Sequence, residues 1–163
     1  MRDAIDFITR RRSIRRYQTD VVEEEKIRLL LEAAMAAPSA DNMRPWHFVV
    51  VRDAKLRSEL SRVHRWAKMA ADAPVVFVVL GDATVSPDSW IEDCSAATEN
   101  LLLAAANIGL GAVWVGLRGA YEQRVRELVE APTHMRVLCM VPVGYPAEEK
   151  PARSQYEQRK VRW

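Results

Sequence analysis

The residues with the sharpest chemical character stand together near the start of the chain, in Arg10-Arg11-Arg12-Ser13-Ile14-Arg15-Arg16-Tyr17. Five arginines within seven positions repel one another unless an anion sits among them. A guanidinium matches phosphate oxygens in bidentate fashion, and a serine hydroxyl adds a neutral donor. Placed where a helix gives way to extended chain, such a group could grip a single phosphate. Two other readings fit the same residues: a solvated basic turn, the common fate of surface charge, and a contact with nucleic acid. The nucleic-acid reading is the weakest, because no basic stripe or aromatic platform continues elsewhere.

Other familiar chemistries find little footing. Ser13, Ser39 and Ser95 lack the GxSxG setting of a hydrolase nucleophile. His47, His64 and His134 are dispersed and show no ligand spacing, so no metal site is expected, and His47 beside Trp46 suits a structural role. Asp93 and Glu99 lie six residues apart on one helix, which does not set two carboxylates face to face; surface or interface charges are expected there. Gly109-Leu110-Gly111 follows a helix and precedes a strand, the reverse of a dinucleotide-binding turn. Cys94 and Cys139 sit in apolar runs without CxxC spacing, as buried thiols would.

The elements that must position these residues follow from periodicity. Asp3 can cap a short helix carrying Ile5, Phe7 and Ile8. A second helix from about Glu23 aligns Ile27, Leu30, Leu31, Ala34 and Met35 in one stripe, and Pro38 stops it. Trp46 to Val51 is predicted as a strand, and Asp53 as the cap of a helix through Leu56, Leu60 and Val63. Pro74 to Leu80 is apolar throughout and so buried on both faces. Ser89 to Ile108 is a long helix, apolar around much of its circumference, with Gly109 as its cap. Ala112 to Val115 and Arg136 to Val143 are predicted strands, with a short helix near Tyr121 to Val129 between them. Residues 146–163 carry little apolar content and are expected to form an extended tail lying on another surface.

With 163 residues, 49% of them hydrophobic and 28% charged, the chain suits one globular domain with an α/β or α+β architecture, a mixed sheet being open to it. The net charge of +2 does not by itself imply a polyanionic partner. No apolar run has the length of a membrane span or the form of a signal peptide, so a cytoplasmic protein with no membrane partner is expected. The apolar excess of the long helix, together with a tail lacking its own core, points to a homodimer.

Three further segments follow the arginines in order. They are Ala37-Pro38-Ser39-Ala40-Asp41-Asn42-Met43-Arg44-Pro45-Trp46-His47-Phe48, then Asp93 through Ala106 leading to Gly109-Leu110-Gly111, then Val141-Pro142-Val143-Gly144-Tyr145-Pro146 with Arg153 beyond. With Arg-Arg-Ser-x-Arg at their head, these segments resemble the FMN-dependent nitroreductase family over residues 6–153. The resemblance implies an α+β nitroreductase-like fold, with helices flanking a mostly antiparallel or mixed sheet, and a homodimer that exchanges C-terminal tails and binds FMN between subunits. By position, Arg11, Arg12, Ser13 and Arg15 would hold the FMN phosphate and ribityl chain, completed by Arg153. Pro38, Ser39, Ala40 and Asn42 of the other subunit would border the isoalloxazine ring, and Gly116 and Leu117 would bring backbone amides to N5 and O4. His64 and Trp66 could approach its open face, or simply end an exposed helix.

The resemblance further implies that NAD(P)H reduces the flavin at N5 and leaves before a nitroaromatic, quinone or similar small-molecule acceptor arrives. Such ping-pong chemistry needs no dedicated catalytic side chain. A flavin-binding, storage or sensing protein without NAD(P)H turnover, and a dehalogenase-like enzyme on the same scaffold, are the alternatives. Ala40 stands where many relatives carry serine, and Arg44 where a glutamine is common. The short span between Val63 and Pro74 leaves little to roof the substrate channel, so an open, tolerant site is expected.

Overall fold

The computed structural model describes residues 3–163. Among these residues five strands form one sheet: β1 (Trp46–Val51), β2 (Val75–Asp82), β3 (Gly111–Ala112), β4 (Val115–Gly116) and β5 (Met135–Gly144). Their order is β1-β2-β5-β3, with β4 also on the free edge of β5, and every strand pair is antiparallel. The one parallel link is an isolated bridge from Ser13 to Ala112. Side chains from Val75 to Leu80 are all buried, as a continuous apolar run requires. Val75, Phe77 and Val79 enter one core with Cys139, Val141 and Val143, whereas Val76, Val78 and Leu80 enter the other with Val137 and Met140. Between Val79 and Leu80 the register slips by one residue, which leaves Leu138 as a bulge in β5.

Five helices cover the two faces: α1 (Asp3–Arg10), α2 (Glu24–Met35), α3 (Ala54–Arg62), α4 (Trp90–Asn107) and α5 (Ala120–Leu128). α4 lies along one face of the sheet, and α2 packs on its outer side through Ile27, Leu30 and Ala34. The Asn100 amide fastens the two helices by donating to the Ala33 carbonyl at 3.1 Å. α3, α5 and a 3-10 turn at Lys68–Ala70 occupy the other face. Asp53 caps α3, accepting from the Leu56 amide at 2.7 Å. Gly109 takes φ +79° after α4, a conformation that lets Leu110 donate to the Ala105 carbonyl at 2.8 Å.

Three expectations need correction. The strand expected at Ala112 to Val115 is broken into β3 and β4. The cause lies in β5, where Pro142 accepts from the Val113 amide at 3.3 Å but has no N–H to return. Next, part of the apolar excess of α4 is covered within the chain, because α2 packs on the side away from the sheet, while Ile91 stays 50% exposed. Exposed apolar surface lies on α1 as well, which buries no residue and leaves Ile5 60% and Ile8 50% exposed. Last, Met35 does not complete the buried stripe of α2 but is exposed. Both cysteines are buried and free; burial, then the charge of Asp93, pushes the Cys94 thiol up to about 12.

The tail begins in contact with the arginine segment. Pro146 bridges Tyr17, Ala147 donates to the Arg16 carbonyl at 2.9 Å, and the Arg153 amide reaches the Thr9 carbonyl at 3.4 Å. Beyond it the chain is exposed, with Tyr156 at 66% and Trp163 at 97%.

Candidate functional site

The arginine segment runs extended along the edge of β3 and is pinned by Ile14. This side chain is buried, and its amide donates to the Ala112 carbonyl at 3.0 Å. A Cβ on Gly111 would come within 2.6 Å of Ile14, so only glycine admits the segment this closely. Tyr17 clamps the segment from below, its buried hydroxyl placed 2.7 Å from the Ile14 carbonyl and 3.1 Å from that of Pro142. With Ile14 turned inward, Ser13 and Arg15 face the opposite way, as extended chain dictates.

That outward side is a cavity of about 400 Å³ lined by Arg11, Arg12, Ser13, Arg15, Lys150, Pro151 and Arg153. Five cations therefore converge on one space. Neighbouring groups hold the cavity's shape while leaving much of this charge uncompensated. Glu148 accepts from the Arg15 amide at 2.6 Å and from Lys150 at 3.0 Å, and Lys150 donates to the Ser13 carbonyl at 2.6 Å. Bonding from the Arg15 amide, ahead of that from Lys150, keeps the Glu148 carboxyl below its usual range. Arg11 lies 3.5 Å from Glu99. Arg12 donates to the Thr9 carbonyl at 2.8 Å, yet its Nε is buried with no partner among the described residues. Burial first, then the charges of Arg153 and Arg11, lowers the pKa of Arg12. An orphaned donor amid like charges is what an absent anion would satisfy.

Gly116 and Leu117 line a second cavity of about 550 Å³, walled by Trp90, Trp114, Arg118 and Arg136. A Cβ on Gly116 would meet only Trp114 Nε1, at 3.7 Å, so the chain itself does not require glycine there; a methyl group would instead occupy the cavity. The bulged Leu138 reaches the same wall, and its carbonyl accepts from the Leu117 amide at 3.3 Å. Arg136 stacks over Trp90 at 5.2 Å and donates to both oxygens of Glu122, at 2.5 and 3.0 Å. Burial opposes the charge of Glu122, but these bonds and one from the Val137 amide outweigh it and hold its pKa low.

The two cavities share a face of α4. Ser95 lines the second, while Glu99, one turn on, contacts Arg11 of the first. Four helical residues separate them by about 6 Å along the axis, so an elongated ligand with an anionic end and a flat end could span both.

Pro38, Ser39, Ala40 and Asn42 line neither cavity; they form a loop at the opening turn of α4. Asp41, Asn42 and Arg44 all take positive φ, at 48°, 56° and 51°. Strain of this kind persists only where surroundings impose it. Here Asp93 does so: 5% exposed, it accepts from the Ala40 amide at 2.9 Å and from the Ser86 hydroxyl at 3.2 Å. Ser39 adds a bond from the Arg44 amide to its hydroxyl at 3.0 Å.

The surface role expected for Asp93 is thus corrected, and Glu99 keeps its exposed position. His64 packs edge-on against Tyr121 at 4.7 Å, and neither it nor Trp66 lines either cavity. Sequence reasoning missed Lys150, whose only signal was a basic tail, and also the wall formed by Trp90, Trp114, Arg118 and Arg136.

An antiparallel sheet covered by helices, with a basic pocket at its edge and an aromatic pocket beside it, suits a ligand with an anionic end and a flat end, and comparison with known proteins names the family. The family model described as Nitroreductase family matches residues 8–67 and 61–145. The chain is 40% identical to a protein of Methanothermobacter thermautotrophicus provisionally named NADH dehydrogenase/NAD(P)H nitroreductase, over 98% of this chain and 85% of the relative. The solved structure of an FMN-dependent nitroreductase from Clostridium difficile superimposes with TM-score 0.92 at 33% identity, covering 98% of both chains. A structure provisionally named a nitroreductase, from Desulfovibrio desulfuricans and in complex with FMN, gives TM-score 0.85 at 28% identity over 98% and 95% of the two chains. The chain belongs to the nitroreductase family.

Proposed function

We propose that this chain is an FMN-dependent oxidoreductase that carries electrons from NAD(P)H to nitroaromatic, quinone or similar organic acceptors, and that it works as a homodimer. The observation that carries this is the buried, unpartnered Nε of Arg12 in a cavity ringed by five cations. Arg11, Arg12, Ser13 and Arg15 hold the phosphate and the start of the ribityl chain. Lys150 joins Arg153 in closing that site. Gly116 and Leu117 present backbone to the ring, and the absence of a Cβ at Gly116 leaves it room. A second copy contributes its loop of Pro38, Ser39, Ala40 and Asn42, held ready by Asp93. Bound there, FMN would supply two-electron redox chemistry between NAD(P)H and the acceptor, and one shared stacking site would make the cycle ping-pong. The protein's part is to bind, orient and limit access, so no side chain serves as a dedicated acid or base.

Titration of the purified protein with FMN, followed by anaerobic addition of NADH or NADPH, tests this. The flavin should bind, bleach with at least one donor, and regain its colour with a nitroarene or quinone. Double-reciprocal plots at several acceptor concentrations should be parallel. A protein indifferent to FMN refutes the cofactor assignment. Bound flavin that neither donor bleaches leaves a binding or storage role in its place.

A further inference from the structure

A third cavity, of about 660 Å³, adjoins the basic one and shares Arg15 with it. It sits at the end of the sheet, where Arg52 follows β1, Pro74 precedes β2 and Ala147 lies beyond β5. Its walls are fixed. A Cβ on Gly144 would come within 2.5 Å of Pro74 and 3.1 Å of Tyr17, so only glycine lets both pack this closely on β5. Arg57 ties α3 to the turn before β2: its Nε donates to the Arg52 carbonyl at 3.4 Å, and its Nη1 to those of Ala71, at 2.9 Å, and Ala73. Its Nη2 keeps no partner among the described residues. Charge in this cavity is of both signs. Glu24 holds Arg52 at 2.7 Å, which leaves Arg15, Arg16 and Arg57 as its other cations. Asp72 lines the same space, yet among the described residues it forms no ion pair with any of these arginines. Guanidinium groups are donors for phosphate, whereas a carboxylate accepts from the hydroxyls of a ribose. Val21 and Pro74 add apolar surface on which a flat base could lie.

We propose that this cavity is a second phosphate site that takes a nucleoside monophosphate, with Arg16 and Arg57 on the phosphate and Asp72 on the ribose hydroxyls. Arg15, reaching both basic cavities, sets this phosphate beside the one proposed for FMN. The nucleotide has two sources. One is a free adenylate; the other is the adenylate end of a flavin dinucleotide whose flavin half fills the two cavities proposed for FMN. Only the second source rests on the oxidoreductase reading. No bond is made or broken at this site. Arg16 and Asp72 are exposed, so the affinity should be modest and should weaken as salt rises.

Calorimetric titration of the FMN-loaded protein with AMP, adenosine and inorganic phosphate tests the site. AMP should bind without releasing FMN, and more tightly than either of the other two. In Arg16→Gln its affinity should fall about three- to fivefold, as loss of one exposed charge pair implies, while adenosine is unaffected. In Asp72→Ala AMP should weaken again, whereas phosphate should bind as before or better, because a ribose contact and a repelling charge are lost together. FMN content should match wild type in both variants. AMP that does not bind, that displaces FMN, or that binds both variants like wild type overturns the proposal. So does phosphate bound as tightly as AMP, which leaves a plain anion site, and so does loss of FMN from Arg16→Gln, which makes that residue a cofactor ligand. On FMN-free protein, FAD bound more tightly than FMN, with the surplus lost in Arg16→Gln, identifies the dinucleotide as the source; equal affinities, with AMP still bound, identify the free nucleotide. Should AMP bind through Arg16 and Asp72 while no flavin binds, the oxidoreductase reading falls and the nucleotide site stands.

Discussion

At Arg12 an unfavourable placement and a candidate binding role coincide. Its Nε is buried without a partner among the described residues, and its charge faces Arg11 and Arg153. Arg12→Ala should therefore leave the melting temperature of the FMN-free protein unchanged or raise it. The same variant should weaken FMN binding by about 10- to 100-fold, the size of a lost charge-assisted hydrogen bond, as fluorescence titration would measure. Asp93 works in the opposite sense. Asp93→Ala strands the Ala40 amide and the Ser86 hydroxyl and should cost about 2–3 kcal/mol, read as a lowered thermal midpoint and faster amide exchange at Ala40. Asp93→Asn keeps an acceptor for Ala40 and should recover most of the loss. An alanine variant as stable and as protected as wild type would show that Asp93 does not hold the loop.

Among the elements, Glu148 is the fastener between the tail and the arginine segment. Its folded-state pKa lies below the ordinary 4.5, so its contribution is complete above that value. It fades as the pH drops from 4.5 through the lower folded-state value. Proteolysis after residue 150 should accelerate in that window, and Glu148→Gln should accelerate it already at neutral pH; equal rates in both proteins would deny the fastening role. β1 was legible residue for residue, because a run of bulky and β-branched side chains is fenced by Pro45 on one side and Arg52-Asp53 on the other. The break between β3 and β4 was not, since its cause, Pro142, sits in another strand. The burial of Asp93 was hidden likewise: its partner is the backbone amide of Ala40, 53 positions away, and a backbone amide leaves no mark in a sequence.

At the scale of the whole molecule, the arginine segment was legible as a cluster, while residue type alone left a phosphate grip, a solvated turn and a nucleic-acid contact open. The aromatic cavity was not legible, because its walls come from α4, the β4 turn and β5, and no short stretch contains them. The exposed Ile5 and Ile8 of α1 are part of the apolar surface available for a second copy, with Ile91 of α4 and Tyr156 and Trp163 of the tail. Ile5→Glu with Ile8→Glu should shift the protein from dimer toward monomer in analytical ultracentrifugation and reduce FMN retention, since the loop at Pro38 to Asn42 would then have no neighbour to serve. A dimer unchanged by both charges would place the interface elsewhere.

The basic cavity is closed by contacts that span 133 positions between Arg15 and Glu148 and 137 between Ser13 and Lys150. On a ribosome, where synthesis proceeds at about 5–20 residues per second, the arginines emerge long before the lysine and glutamate that complete their setting. Closure of the cavity must then be a late event, after the strand carrying Pro142 has docked and the tail has come back to the arginine segment. Any message cut short before codon 148 would yield a chain without either residue that closes the space around its arginines.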